Sequence, residues 1–99
     1  MKIEVTSPAK DELAKVLANK KDPSKLLRIY IAGYGWGGPT FGLALDEQKD
    51  EDMEFKVEDF NFIMEDLIVE NYGSFVVDFS DNWLRRGFSV YPDGVQSSC

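Results

Sequence analysis

Residues 27–47 read Leu-Arg-Ile-Tyr-Ile-Ala-Gly-Tyr-Gly-Trp-Gly-Gly-Pro-Thr-Phe-Gly-Leu-Ala-Leu-Asp-Glu, and this stretch decides the fold. Apolar residues alternate with other residues on both sides of a glycine-rich loop: Leu27, Ile29 and Ile31 precede it, and Phe41, Leu43 and Leu45 follow it. A period of two is typical of β-strands with one buried face. The stretch therefore predicts two strands joined either by a tight hairpin turn or by a shaped loop that presents Tyr34 and Trp36.

One helix and several short strands are predicted around this pair. Ser7 is predicted to cap a helix that Pro8 opens and that ends after Asn19, with an apolar face formed by Ala9, Leu13, Val16 and Leu17. Short strands are predicted at residues 3–5, 54–57, 60–64, 75–79 and 87–91, with a helical turn at residues 65–70. The pattern indicates a single domain, residues 1–99, in which one N-terminal helix packs on a small, mostly antiparallel β structure.

Composition excludes several classes of protein. The 99 residues include one Cys and no His, and 18 acidic against 11 basic residues give a net charge of −7. A single Cys excludes an internal disulfide, and the absence of His excludes imidazole zinc sites and His-based catalytic triads. No catalytic residues are predicted, so we expect the protein not to be an enzyme. The acidic balance argues against nucleic acid as a partner. No apolar run approaches the roughly 20 residues that span a membrane, so a cytoplasmic protein is expected.

The negative charge is concentrated in one part of the chain. Residues 46–70 carry 11 acidic and two basic side chains, whereas residues 29–45 carry no charge and residues 1–28 have a net charge of +3. The simplest interpretation of the acidic segment is a solvated face that aids solubility. The alternative is a docking surface for a basic patch on a partner.

The loop glycines also match a nucleotide-binding pattern. Gly33, Gly35 and Gly38 satisfy G-x-G-x-x-G after a strand. In dinucleotide-binding proteins a helix must begin at this loop, because its N-terminus holds the pyrophosphate. Residues 39–45 instead alternate like a strand, so the nucleotide interpretation is rejected.

Several motifs resemble the HesB/IscA family, the A-type carrier proteins of iron–sulfur cluster assembly. They are the run from Gly37 to Glu47, the step Val77-Asp78-Phe79 and the stretch Gly87-Phe88-Ser89-Val90, all in the family's order and spacing. The resemblance covers roughly Val5 to Cys99 and is greatest with the HesB-like branch. It implies a mainly β fold with one N-terminal helix, arranged as a HesB-like mixed, mostly antiparallel β-sandwich or flattened barrel.

Compared with the family, this chain lacks most of the cysteines that ligate iron or an iron–sulfur cluster. The family uses three cysteines, one in the glycine loop and two near the C-terminus. Here Trp36, which has no lone pair for iron, stands at the loop position, and only Cys99 is present near the end. The resemblance implies a carrier, scaffold or accessory protein in which any iron or iron–sulfur cluster is held by Cys99, shared between subunits of a homodimer or higher oligomer. It also raises the hypothesis that the coding sequence continues past Cys99 to a further cysteine.

An alternative function is a protein-interaction module of sulfur or iron metabolism that has lost metal binding. In that case the partner, an iron–sulfur assembly or sulfur-metabolism protein, contacts Tyr34 and Trp36 or the acidic segment. Two conformations of Trp36 remain open. An exposed ring would form part of an interface, whereas a buried ring would fill the space that the family leaves around its ligands.

Overall fold

The computed structural model describes residues 1–83 and 86–93. The predicted helix, helical turn and strands are all present, as β1 (Lys2–Val5), α1 (Ser7–Asn19), β2 (Lys25–Gly35), β3 (Gly38–Glu47), β4 (Asp52–Val57), β5 (Phe60–Glu65), α2 (Asp66–Asn71), β6 (Ser74–Asp81) and β7 (Arg86–Pro92).

The seven strands of the described residues form one sheet, in the order β1-β6-β7-β3-β2-β5-β4. The β1–β6 and β2–β5 pairs are parallel, and the other neighbours are antiparallel. The two edge strands, β1 and β4, approach each other within 8 Å between Cα atoms, so the sheet curls into a nearly closed barrel. The predicted mainly β, mostly antiparallel flattened barrel is confirmed.

The core lies inside this curled sheet and is covered by α1. Ala9 and Leu13 of α1 are fully buried, as the spacing of its apolar residues predicts. The ring of Phe75 on β6 is met edge-on by Phe41 at 4.9 Å between centroids. The largest fully buried side chains are Phe62, Phe75, Leu13, Leu27, Ile29, Ile63, Met64 and Val77. Burial of each such aliphatic or aromatic side chain stabilises the fold by about 1.5–3 kcal/mol.

The cap of α1 differs from the prediction by one residue. The N-cap is Thr6, not Ser7, and its Oγ1 accepts a hydrogen bond from the backbone N–H of Ala9 at 3.4 Å. The same hydroxyl donates to Oδ1 of Asp78 on β6 at 2.6 Å. Thr6 is preferred because its position joins the helix terminus to the neighbouring strand, a tertiary contact that the local sequence does not reveal.

The glycine loop is a hairpin turn. The β2–β3 register runs from Lys25 opposite Glu47 to Gly35 opposite Gly38, which leaves Trp36 and Gly37 as the two turn residues. Gly38 has a φ of +106°, a conformation that glycine adopts readily. No helix begins at this loop, in agreement with rejection of the nucleotide interpretation.

The alternation of β2 is interrupted near the loop. The β2–β3 register shifts between Ile31 and Gly33, and Ile31, which the pattern places in the core, is 38% exposed. An irregularity of this kind re-aims the side chains that follow it. The distal half of the hairpin therefore presents apolar residues to solvent.

Candidate functional site

The hairpin tip carries the two aromatic residues that the sequence singles out. Trp36 is fully exposed and Tyr34 is 79% exposed. Of the two conformations considered for Trp36, the structure has the exposed one, because the turn residue Gly37 and the flanking Gly35 and Gly38 have no side chains to cover the ring. The tip is thus suited to contact another molecule.

Trp36, which stands at the position of the loop cysteine, cannot ligate iron. The indole nitrogen of Trp36 carries a hydrogen and only donates. Across residues 1–83 and 86–93, no three His, Cys, Asp or Glu side chains come together in a group that could hold a metal ion. Cys99, the predicted ligand, lies outside the described residues, so its role stays a prediction. The described part of the chain supplies no thiolate for a cluster.

A buried arginine organises the opposite end of the hairpin. The guanidinium of Arg28 donates from Nε to Oδ2 of Asp46 at 2.7 Å, and from Nη1 and Nη2 to the two carboxylate oxygens of Asp52 at 2.8 and 2.5 Å. Nη2 also donates to the carbonyl of Glu47 at 3.0 Å. Asp52 accepts a further bond from the backbone N–H of Lys49 at 2.7 Å, and its side chain is only 1% exposed. We call Arg28, Asp46 and Asp52 the Arg28 network; it joins β2, β3 and β4.

The network shifts the acidity of its members. The hydrogen bonds from Arg28 are the main cause that lowers the pKa of Asp52, against the opposing effect of burial. The pKa of Asp46 is lowered first by the backbone N–H of Glu47 and then by Arg28. The hydrogen bond with Asp52 raises the pKa of Arg28. All three groups are therefore charged at neutral pH, and the network is a structural clamp.

Sequence reasoning missed this network. The alternation in β2 places Arg28 outside, and the charged turn around residues 46–52 is interpreted as solvated. That interpretation is wrong for Asp52, although Asp50, Glu51 and Glu54 in the same segment are exposed. The available signal was one basic residue within an apolar strand, since a buried arginine requires carboxylate partners.

A groove lies beside the distal half of β2. Two cavities of about 360 and 450 Å³ share Ile31, Glu65 and Ile68 in their walls, so they form one continuous depression between β2 and α2. We call it the α2 groove. Tyr34, Pro39, Leu67, Asn71 and Tyr72 complete its wider part.

Neither helix of the described residues has the length and apolar composition that a bilayer crossing requires.

Comparison with known proteins finds chains of similar sequence that are named for iron–sulfur cluster insertion. No protein-family model matches it. The "Iron-sulfur cluster insertion protein ErpA" of Idiomarina loihiensis is 26% identical over 100 residues, which cover 100% of this chain and 86% of that protein. The protein of the same name from Klebsiella pneumoniae is 24% identical over 98 residues, 98% of this chain and 86% of that protein.

Solved structures show the same fold. Escherichia coli SufA, described as involved in biosynthesis of iron–sulfur clusters, matches with a TM-score of 0.73 and 19% identity, over 99% of this chain and 86% of that one. A crystal structure of IscA with a [2Fe-2S] cluster matches with a TM-score of 0.69 and 21% identity, over 92% of this chain and 82% of that one. The resemblance stated from the motifs is confirmed: the chain is similar in sequence to proteins named ErpA, and it shares the fold of SufA and IscA.

Proposed function

We propose that the protein acts in iron–sulfur cluster assembly, as a carrier, scaffold or accessory protein whose cargo is iron or a cluster, and not as an enzyme. The observation that carries the proposal is the full-length match: relatives named as cluster insertion proteins align with 98–100% of the chain. A match of that extent is unlike a shared motif, because it includes the core, the hairpin and both helices. Cytoplasmic localisation stays a prediction.

The cargo would be held by an incomplete set of ligands. A cluster commonly takes four thiolates, and each chain has one, Cys99. Trp36 stands on the exposed tip of the hairpin, where the family resemblance implies a cysteine. Cys99 thiolates from two or more subunits would therefore hold the cargo, so the carrier is a homodimer or a higher oligomer.

Anaerobic reconstitution with ferrous iron and sulfide tests the proposal. The wild-type protein is expected to gain visible charge-transfer absorption that Cys99→Ser abolishes, while the matched variant Ser98→Ala retains it. Trp36→Cys is expected to increase the iron bound per chain, since it adds a second thiolate on an exposed turn. A colourless wild-type protein without bound iron, at concentrations where it is oligomeric, would overturn cluster carriage.

The second candidate is an interaction module without metal, and the exposure of Tyr34 and Trp36 favours it. Large exposed aromatic side chains are enriched at protein interfaces. If this function holds, iron–sulfur assembly or sulfur-metabolism proteins should co-purify with the wild type and be lost in Tyr34→Ser/Trp36→Ser. Trp83→Ser is the control, because Trp83 is also exposed but follows β6 and is not part of the β2–β3 hairpin. Equal recovery with all three proteins would contradict an interaction through the tip.

A further inference from the structure

In the described part of the chain, the edge of β2 that faces away from β3 lacks a strand neighbour over the half of β2 nearest the hairpin turn. β2 pairs with β5 only at Leu27 and Arg28. From Tyr30 to Gly35, β2 has β3 on one side and, among the described residues, no strand on the other. Such an edge presents backbone N–H and C=O groups that can pair with a strand from another chain.

The α2 groove runs along this open edge and is mainly apolar. Ile31 and Tyr34 form its wall on the hairpin side, and Leu67 and Ile68 form the wall on α2. Leu67 is 64% exposed, although a leucine on a short surface helix gains nothing from contact with water. Pockets for alternate side chains beside an open strand edge are the features that β-strand addition uses.

Acidic side chains surround the α2 groove, and they have no cationic partner among the described residues. Glu65 lines both cavities, and Asp66 and Glu70 lie on the adjoining helix. None of these three forms an ion pair within residues 1–83 and 86–93. The two basic side chains at the narrow end, Arg28 and Lys49, are both paired with Asp46. The charge left to complement is therefore negative.

We propose that the α2 groove binds an extended segment of a partner protein in which apolar residues alternate with Lys or Arg. The segment pairs with β2 between Tyr30 and Gly35, places its apolar side chains against Ile31 and Leu67, and directs its basic side chains toward Glu65. A second copy that pairs through its own open β2 edge fits the groove less well, because residues 30–35 carry no basic residue to meet Glu65. This inference does not depend on cluster carriage.

Fluorescence anisotropy with a labelled eight-residue peptide of alternating lysine and valine tests the proposal. We expect it to bind at least tenfold more tightly than the matched peptide of alternating glutamate and valine. Replacement of the central valines by proline should abolish binding, because proline lacks the N–H that strand pairing needs. Hydrogen exchange should show new protection of the backbone amides of residues 30–35. Protection on β4 instead, or equal affinity for the lysine and glutamate peptides, would overturn the proposal.

Two variants of equal charge change assign the binding to the groove. Glu65→Lys is expected to lower the affinity for the lysine–valine peptide at least tenfold. Glu4→Lys, on the exposed face of β1, should change that affinity less than twofold. Leu67→Ser should also weaken binding without loss of folding, since Leu67 is exposed; circular dichroism checks the fold of each variant. Equal effects of Glu65→Lys and Glu4→Lys would reduce the binding to general electrostatic attraction and overturn the proposal.

The oligomeric state shows whether a second copy of this chain, and not a partner segment, occupies the α2 groove. Protection of the amides of residues 30–35 that exists without peptide and increases with protein concentration would mean that a second copy covers the groove. Sedimentation would then show an oligomer that Glu65→Lys alters and Glu4→Lys does not. That result would replace the partner segment with self-association.

Discussion

Removal of the Arg28 guanidinium tests whether the Arg28 network holds β2, β3 and β4 together. In Arg28→Met, the carboxylate of Asp52 remains 1% exposed and loses two of its three hydrogen bonds, keeping only the N–H of Lys49. Loss of one partner from a buried ion pair costs about 3–5 kcal/mol. Asp46 adds little, because its side chain is 37% exposed and water can replace the cation.

We therefore expect Arg28→Met to lower the free energy of unfolding by about 3 kcal/mol. Urea denaturation followed by far-ultraviolet circular dichroism measures it, because both tryptophans are exposed and report poorly on folding. With a denaturant slope of about 1.5 kcal/mol per molar, the midpoint should fall by about 2 M. Arg86→Met is the control: its pair with Asp81 is exposed and worth about 0–1 kcal/mol.

A double variant and a pH series separate the charge from the packing. Arg28→Met/Asp52→Leu should regain most of the loss, because it removes the orphaned charge. Folding lowers the pKa of Asp46 and Asp52, so their contribution is present above about pH 4, the unfolded value, and is lost as pH falls through the folded values. The gap between wild type and Arg28→Met should thus narrow below about pH 4. If the free energy of unfolding of Arg28→Met lies within about 1 kcal/mol of the wild-type value, the reasoning is refuted.

Two further predictions concern packing on β3 and the cap of α1. A Cβ on Gly42 would lie 2.8 Å from Cζ and Oη of Tyr30, its cross-strand partner, so Gly42→Ala should lower the free energy of unfolding by about 1 kcal/mol by displacing the ring. In a Tyr30→Ser background the same change should leave the stability in urea denaturation unchanged. An equal loss of stability there would contradict the contact. Thr6→Ala removes the hydroxyl that serves both Ala9 and Asp78, so thermal and urea melts should show a loss of about 1–2 kcal/mol, whereas Thr6→Ser should retain most of the stability.

Local pattern was enough to predict the secondary structure. Strands with a period of two and a helix with apolar residues three and four apart report their buried faces directly in the sequence. The position of the glycine loop between two alternating runs likewise predicts the hairpin. The motifs around Gly37–Glu47 and Val77–Phe79 added the arrangement of these elements, which periodicity alone does not supply.

The site could be predicted only in part, because its features depend on tertiary pairing. Arg28 is buried because Asp52 reaches it from another strand, and strand order is not visible in local alternation. Ile31, which the pattern places inside, is 38% exposed, and it lies on the part of β2 that does not pair with β5. The open edge of β2 exists because its pairing with β5 stops at Arg28 and Ile63, and β5 itself ends at Glu65, directly before α2.

The parallel pairing of β1 with β6 governs when this protein can fold during its synthesis. Ile3 and Val5 lie opposite Phe75 and Val77, and the Thr6–Asp78 contact that continues this junction joins residues 72 positions apart. A ribosome that adds about 5–20 residues per second needs about 4–14 s to make the intervening chain. During that time the apolar face of α1 has no β6 to cover it. The β1–β6 pair and the covering of α1 can therefore form only after residues 74–81 have been synthesised.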